Sequence, residues 1–179
     1  MAGNLHYILY SIGLVIAISI LLIVIKTKSY KRVYIISLII AIPIFIHCQT
    51  YFWSVSFNSY VKSYLFSSES YSCEYEDELK DITILLPDRT VIQAKEDACS
   101  PFYTTYVGES DFQSFYEREL TRLKYSGLIQ HYYFIQEGII RQKDRSEFFV
   151  ELASGTNIVI SHRSMEDTNL LAITYVRLN

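Results

Sequence analysis

The side chains with which this 179-residue sequence could do bond-making chemistry are four histidines, three cysteines, and a scatter of carboxylates and hydroxyls. His131, His162, Asp88 and Asp144, together with the serines, contain the residue types of a hydrolytic site. In such a site an imidazole takes the nucleophile's proton and a carboxylate orients the imidazole. Their spacing fits no known framework: there is no G-x-S-x-G elbow, no H-E-x-x-H and no phosphate-binding glycine loop. Six glycines leave little material for such loops. His131 falls inside a strand pattern and His162 just beyond another, positions at which surface imidazoles are expected. No catalytic residue, cofactor or metal site is therefore assigned, and the expectation is a protein that is not an enzyme.

Two further groupings have chemistry to weigh. His6 and His47 lie toward the same end of two long apolar runs, so a bridging metal or haem is geometrically conceivable. Two ligands without a local set are weaker than the plain alternative, in which His6 is solvated and His47 bonds to Gln49, Thr50 or backbone. Among the cysteines, Cys73 and Cys99 form a candidate disulfide, worth about 3 kcal/mol in the chain-entropy account. Cys48 is left over. Lipidation of Cys48 is disfavoured because His47 stands where a lipoprotein signal needs a small residue.

The elements that must hold these groups begin with residues 5–25 and 33–53, each 21 residues without Lys, Arg, Asp or Glu. At about 1.5 Å per residue each can span a hydrocarbon core of about 30 Å. Between them, 26–32 (KTKSYKR) carries four positive charges. Cytoplasmic loops retain Lys and Arg, so 1–53 reads as a transmembrane hairpin with a cytoplasmic bend, its N-terminus and everything after it outside the cytoplasm. The first run lacks the basic start, short apolar core and small-residue cleavage site of a signal peptide. Gly13 and Ala17, with Ser37 and Ala41, are small residues four apart that suit a helix-packing seam. Pro43 is expected to bend the second helix. Tyr7, Tyr10, Tyr51, Phe52 and Trp53 suit an outer aromatic belt.

Residues 54–80 read as a stem and acidic linker, helical over 54–66 and either prolonging the second helix or lying along the membrane surface. Residues 81–179 suffice for one α+β domain. All 19 acids lie beyond residue 53, against 12 bases, which leaves −7 and argues against a nucleic-acid partner. Strands are expected over 82–86, 90–94, 102–107, 128–135, 146–153, 156–161 and 170–178, with a turn at 87–89 and a two-residue turn at Ser154-Gly155. The helix between them opens with Ser110 as cap and Gln113 completing a capping box, and closes at Gly127. Phe112, Phe115, Tyr116, Leu120 and Leu123 form its apolar stripe, and Glu117, Arg118, Glu119, Arg122 and Lys124 its solvated face. One helix packed on an antiparallel sheet is the economical architecture.

The order of a strand, Ser110-Asp111-Phe112-Gln113-Ser114-Phe115-Tyr116-Glu117-Arg118-Glu119-Leu120, and then hairpin strands with Gly155-Thr156-Asn157-Ile158-Val159-Ile160 resembles a small α+β domain of bacterial envelope lipoproteins over residues 81–178. The chain departs from that pattern in having a hairpin in place of a lipid anchor. The resemblance implies an envelope domain and carries over no functional residues. The resulting expectation is a cell-membrane protein with an extracytoplasmic interaction or sensing module, its partners the lipid bilayer and a membrane or envelope protein. The alternative is an accessory subunit of a transporter or envelope-synthesis complex, in which the hairpin makes the essential contacts.

Overall fold

The structure, a computed structural model, describes residues 4–28, 31–137, 145–165 and 168–176. The chain is α+β and divides into two compact units, Met1–Val61 and Lys62–Asn179.

The first unit is built on α1 (Asn4–Lys28) and α2 (Lys31–Trp53), two helices long and apolar enough to cross a membrane. Lys26, Lys28, Lys31 and Arg32 lie on the helix ends themselves. Outward-facing Ile and Leu dominate both helices. Contact runs along Tyr7, Ser11, Leu14 and Ile18 of α1, spaced by four, three and four residues, the interval that keeps one face toward a neighbouring helix. Ser37 and Ala41 are half-buried, but Gly13 and Ala17 are exposed, and a Cβ on Gly13 would meet nothing within 4 Å. The seam therefore does not use Gly13 and Ala17. Its polar fixings are Ser11, which donates to Gln49 Oε1 at 2.6 Å, and Trp53, whose Nε1 donates to the same oxygen at 3.1 Å. Tyr7 packs against Phe52, with ring centroids 5.9 Å apart and the rings tilted by 31°. Helix α2 continues through Pro43, whose carbonyl lies 2.8 Å from His47 Nδ1. A third helix, α3 (Val55–Leu65), follows directly.

The second unit contains β1 (Ser70–Tyr71), a 3-10 turn (Asp77–Leu79), β2 (Ile84–Leu85), β3 (Thr90–Lys95), β4 (Pro101–Thr105), α4 (Glu109–Tyr125), β5 (Ile129–Glu137), β6 (Arg145–Leu152), β7 (Asn157–Ser164) and β8 (Asn169–Val176). Six strands form an antiparallel sheet in the order β3-β4-β8-β7-β6-β5. Strand β2 pairs with β1, whose residues read as linker in the sequence. Tyr71, Cys73 and Leu79 are core residues, so the folded unit takes in much of the expected linker.

Alternation in β6 places Phe148, Val150 and Leu152 inward, and the matching face of β7 contributes Ile158 and Ile160. Helix α4 covers that face with Phe112, Tyr116, Leu120 and Leu123. Gly108, not Ser110, occupies its N-cap position, and Gln113 bonds to the Glu117 side chain in place of a capping box. At the other end Gly127 takes φ +76°, its N–H reaching Lys124 O while the Leu128 N–H reaches Leu123 O. This is the paired closure that a left-handed residue after a helix allows. Between β6 and β7 the loop has three residues rather than two, because Leu152 N–H bonds Thr156 O and Gly155 supplies the final left-handed position at φ +88°.

Candidate functional site

The sheet separates the groups from which a hydrolytic site might have been built. In β7, His162 points to the α4 side, 1 % exposed, not to the surface as its place beyond a shorter strand implied. In β5, His131 is exposed on the opposite face. Asp88 is exposed just before β3, five strands from β5, a separation of about 24 Å at the usual strand spacing. Asp144 lies outside the described residues. No two of His131, His162 and Asp88 converge.

Around His162 the structure assembles a buried polar cluster. Its Nε2 is 3.1 Å from Val107 O, which also accepts from Asn169 Nδ2 at 2.7 Å. A carbonyl only accepts, so Nε2 carries the proton. The ring stacks on Phe112 with centroids 4.9 Å apart. Burial holds the imidazole below its ordinary pKa, opposed by the Val107 bond and the nearby Glu109 carboxylate. Ser146, the cross-strand neighbour of His162 and fully buried, donates to Glu109 Oε1. A nucleophilic serine needs its proton accepted by the imidazole and needs room for a carbonyl substrate. Here Ser146 donates to a carboxylate, and both side chains are sealed under α4. The cluster pins the start of α4 to β6, β7 and β8.

A second carboxylate also plays a positioning part. Glu119 is buried: its Oε1 accepts the Leu85 N–H at 2.9 Å and Arg122 Nη2 at 2.7 Å. Burial alone would raise its pKa, and the Arg122 and Leu85 bonds outweigh it, leaving the carboxyl below its ordinary value. The solvated face assigned to Glu119 is thus incorrect. Seven residues after Phe112, it returns to the same side of the helix. Cys73 and Cys99 are joined by a disulfide, with Cα atoms 5.4 Å apart, and the Tyr71 hydroxyl donates to Cys99 O at 2.8 Å. The Arg89 guanidinium lies between the rings of Tyr64 and Tyr106, 4.2 and 4.7 Å from their centroids.

The open face of the sheet has a different character. His131, Tyr133, Phe149, Val150, Glu151, Gly155 and Asn157 line a depression of about 270 Å³ over β5, β6 and the start of β7. Tyr133 and Phe149 are register partners, stacked at 5.1 Å and 5°. His131 faces Glu151 one step along, and Glu151 faces Asn157. A flat aromatic pair bordered by an imidazole, a carboxylate and an amide offers a π surface with directional polar groups, which suits binding. Alternation in the sequence already set Phe149 between Glu147 and Glu151 on one strand face. An aromatic flanked by acids on a solvent side was the available signal, and Tyr133 had none until the register was known.

Among the described residues no group of three His, Cys, Asp or Glu side chains is disposed to hold a metal. Comparison of the chain with protein-family models, with characterised proteins and with solved structures returned no match.

Proposed function

We propose that this chain is a membrane-anchored binding module without catalytic activity. Helices α1 and α2 cross the bilayer with 26–32 on the cytoplasmic side, and the α+β unit on the other side presents the open face of β5–β7 to a membrane or envelope protein. The observation that carries the reading is the division of chemistry across the sheet. Ser146 and His162 are sealed beneath α4, with Ser146 bonded to Glu109 at the start of that helix, while the Tyr133–Phe149 stack and its polar border are open to a partner. The outward-facing apolar side chains of both helices and the four cations between them support the anchor. The Cys73–Cys99 disulfide supports an oxidising compartment.

A photocrosslinker at Asn157 in intact membranes tests the binding face. A discrete adduct is expected, lost in a Tyr133→Ala, Phe149→Ala double variant and retained when 1–53 is replaced by an unrelated hairpin. Exposed Gly13 and Ala17, four apart and turned from α2, favour the second reading, an accessory subunit whose hairpin packs against another membrane helix. Loss of function on hairpin replacement, with the double variant active, selects that reading. For topology, a cysteine at Lys28 is expected to resist an impermeant thiol reagent in intact cells and one at Tyr125 to react; the reverse pattern overturns the orientation.

A further inference from the structure

The two edges of the six-stranded sheet are built differently. At one edge β3 is six residues long, has a bulge between Ile92 and Ala94 and ends on Lys95, and its first carbonyl, Thr90 O, accepts the Ser68 N–H at 2.6 Å. Short length, bulges, lysine and covering chain are the means by which proteins keep an edge from pairing. At the other edge β5 is nine residues long, with no Lys, Arg, Asp, Glu or Pro in 129–136. Its bulge lies at its start, between Ile129 and His131, and from His131 to Glu137 its register with β6 is unbroken. No strand among the described residues lies on its other side.

We infer that β5 pairs antiparallel with β5 of a second copy of this chain, about a two-fold axis at Tyr133 and perpendicular to the sheet. Three observations select a second copy as the occupant. Phe149 covers one face of the Tyr133 ring at 5.1 Å and 5°, which leaves the other face, on a side chain 57 % exposed, turned from β6 toward the free edge. Strands lie about 4.8 Å apart, so a tyrosine directly opposite Tyr133 repeats that stack. The sequence 130–136 (QHYYFIQ) has Gln at both ends and an aromatic residue on each side of Tyr133. Pairing that sets Tyr133 against itself therefore sets Tyr132 against Phe134 and His131 against Ile135, with aromatics facing aromatics and no like charges opposed. Tyr132 and Phe134 are only half-buried where they flank the core on the α4 side, and the two-fold brings each beside its counterpart on that same side. The axis also keeps both open faces on one side, where Phe149, Glu151 and Asn157 of each copy stay accessible.

The test uses the purified full chain in dodecylmaltoside micelles, in a Cys48→Ser background. It needs no partner protein, so it can fail while the partner crosslink at Asn157 succeeds, and the reverse. Light scattering of the parent is expected to give twice the 20.9 kDa chain mass. Because residue 133 faces itself, Tyr133→Lys and Tyr133→Glu are each expected to weaken the dimer roughly tenfold or more, and an equal mixture of the two to dimerise again. Under a mild oxidant, Tyr133→Cys is expected to form a covalent dimer roughly tenfold faster than Ile92→Cys at the β3 edge or Tyr125→Cys on α4, both exposed positions. Facing Cα atoms of an antiparallel pair lie about 4.5–5.5 Å apart, within disulfide reach. A parent that stays at single-chain mass overturns the inference and leaves the edge to a strand of another protein. A dimer that Tyr133→Lys leaves intact overturns it too, because the contact then lies elsewhere. Should a charged variant fail to fold, the cysteine rates decide: equal rates at 133, 92 and 125 overturn the two-fold.

Discussion

Helices α3 and α4 carry apolar stripes of similar kind and use them in opposite ways. Helix α4 turns Phe112, Tyr116, Leu120 and Leu123 into the core and shows Glu117, Arg118 and Lys124 to solvent. Helix α3 shows Tyr60, Tyr64 and Leu65 and buries Asn58, Ser59 and Ser63. Periodicity fixes which residues share a face, but the medium on either side decides which face turns inward. Where water lies outside, apolar burial of about 25 cal/mol per Å² drives the stripe inward. In α3 the polar side is instead held by bonds such as that from Asn58 Nδ2 to Tyr51 O at 3.2 Å.

The sharpest way to break this contrast is to truncate one aromatic on each helix. Phe112 has no exposed surface and sits against Tyr116, Phe148 and His162 at centroid separations of 4.9–5.7 Å. Phe112→Ala is expected to cost about 3–5 kcal/mol, a large part of the 5–15 kcal/mol typical of a domain. Tyr60→Ala should shift domain stability by no more than about 0.5 kcal/mol. Denaturant unfolding of the full chain in detergent micelles, followed by near-UV circular dichroism, compares the two. Equal losses would mean that α3's exposed face supports the fold.

Within α4 a finer contrast separates two glutamates only two positions apart. Glu119→Ala removes the acceptor of the Leu85 N–H and the partner of Arg122, and is expected to cost about 1–3 kcal/mol. Exposed Glu117, bonded to Gln113, should change stability by about 0.5 kcal/mol or less on the same substitution. The same unfolding measurement sets them apart, and indistinguishable midpoints would show that the β2 contact adds nothing.

Glu119 also shows what the sequence made legible. The apolar stripe of α4, its end at Gly127 and the strand alternation of β6 could all be read from spacing, because hydrophobic period and left-handed glycine are local properties. Spacing placed Glu119 on the buried side too, seven residues after Phe112, but its charge favoured a solvated reading. What it bonds to, the Leu85 N–H, depends on β2 pairing with β1 across an intervening turn. His162 was misplaced for a related reason: β7 runs to Ser164, three residues beyond the expected strand, so the imidazole became a core position. The open-face site was hardest to read, since Tyr133 and Phe149 meet only through the β5–β6 register, and that hairpin joins across residues whose sequence has no short turn signal.

Buried His162 adds a dependence on pH that α3 does not share. Its folded pKa is depressed from 6.5 chiefly by desolvation. The unfolded chain therefore binds the proton more readily, and stability present above about pH 6.5 falls as pH drops, levelling off once folded His162 itself protonates. Glu109, facing it from α4, opposes the effect, and Ser146, Asn169 and Val107 O are its neutral neighbours. His162→Gln, which keeps an amide donor for Val107 O, should flatten the unfolding midpoint between pH 7 and 5 relative to the parent. An unchanged slope would assign the acid sensitivity to carboxylates.

One core substitution is expected to act against the usual direction. Tyr116 is fully buried among Phe112, Phe115 and Phe148, and its hydroxyl has no hydrogen-bond partner among the described residues. Desolvation pushes that phenol well above its ordinary pKa, so it stays neutral but unsatisfied. An unpartnered buried donor costs about 1–3 kcal/mol relative to a bonded one, while the ring supplies the packing whether or not it bears oxygen. Tyr116→Phe should therefore leave stability unchanged or raise it by about 1 kcal/mol, where Phe112→Ala costs about 3–5 kcal/mol. A fall of more than about 1 kcal/mol for Tyr116→Phe would reveal a partner for the hydroxyl, such as an internal water, and would make the centre of the α4 stripe a polar junction instead of an apolar one.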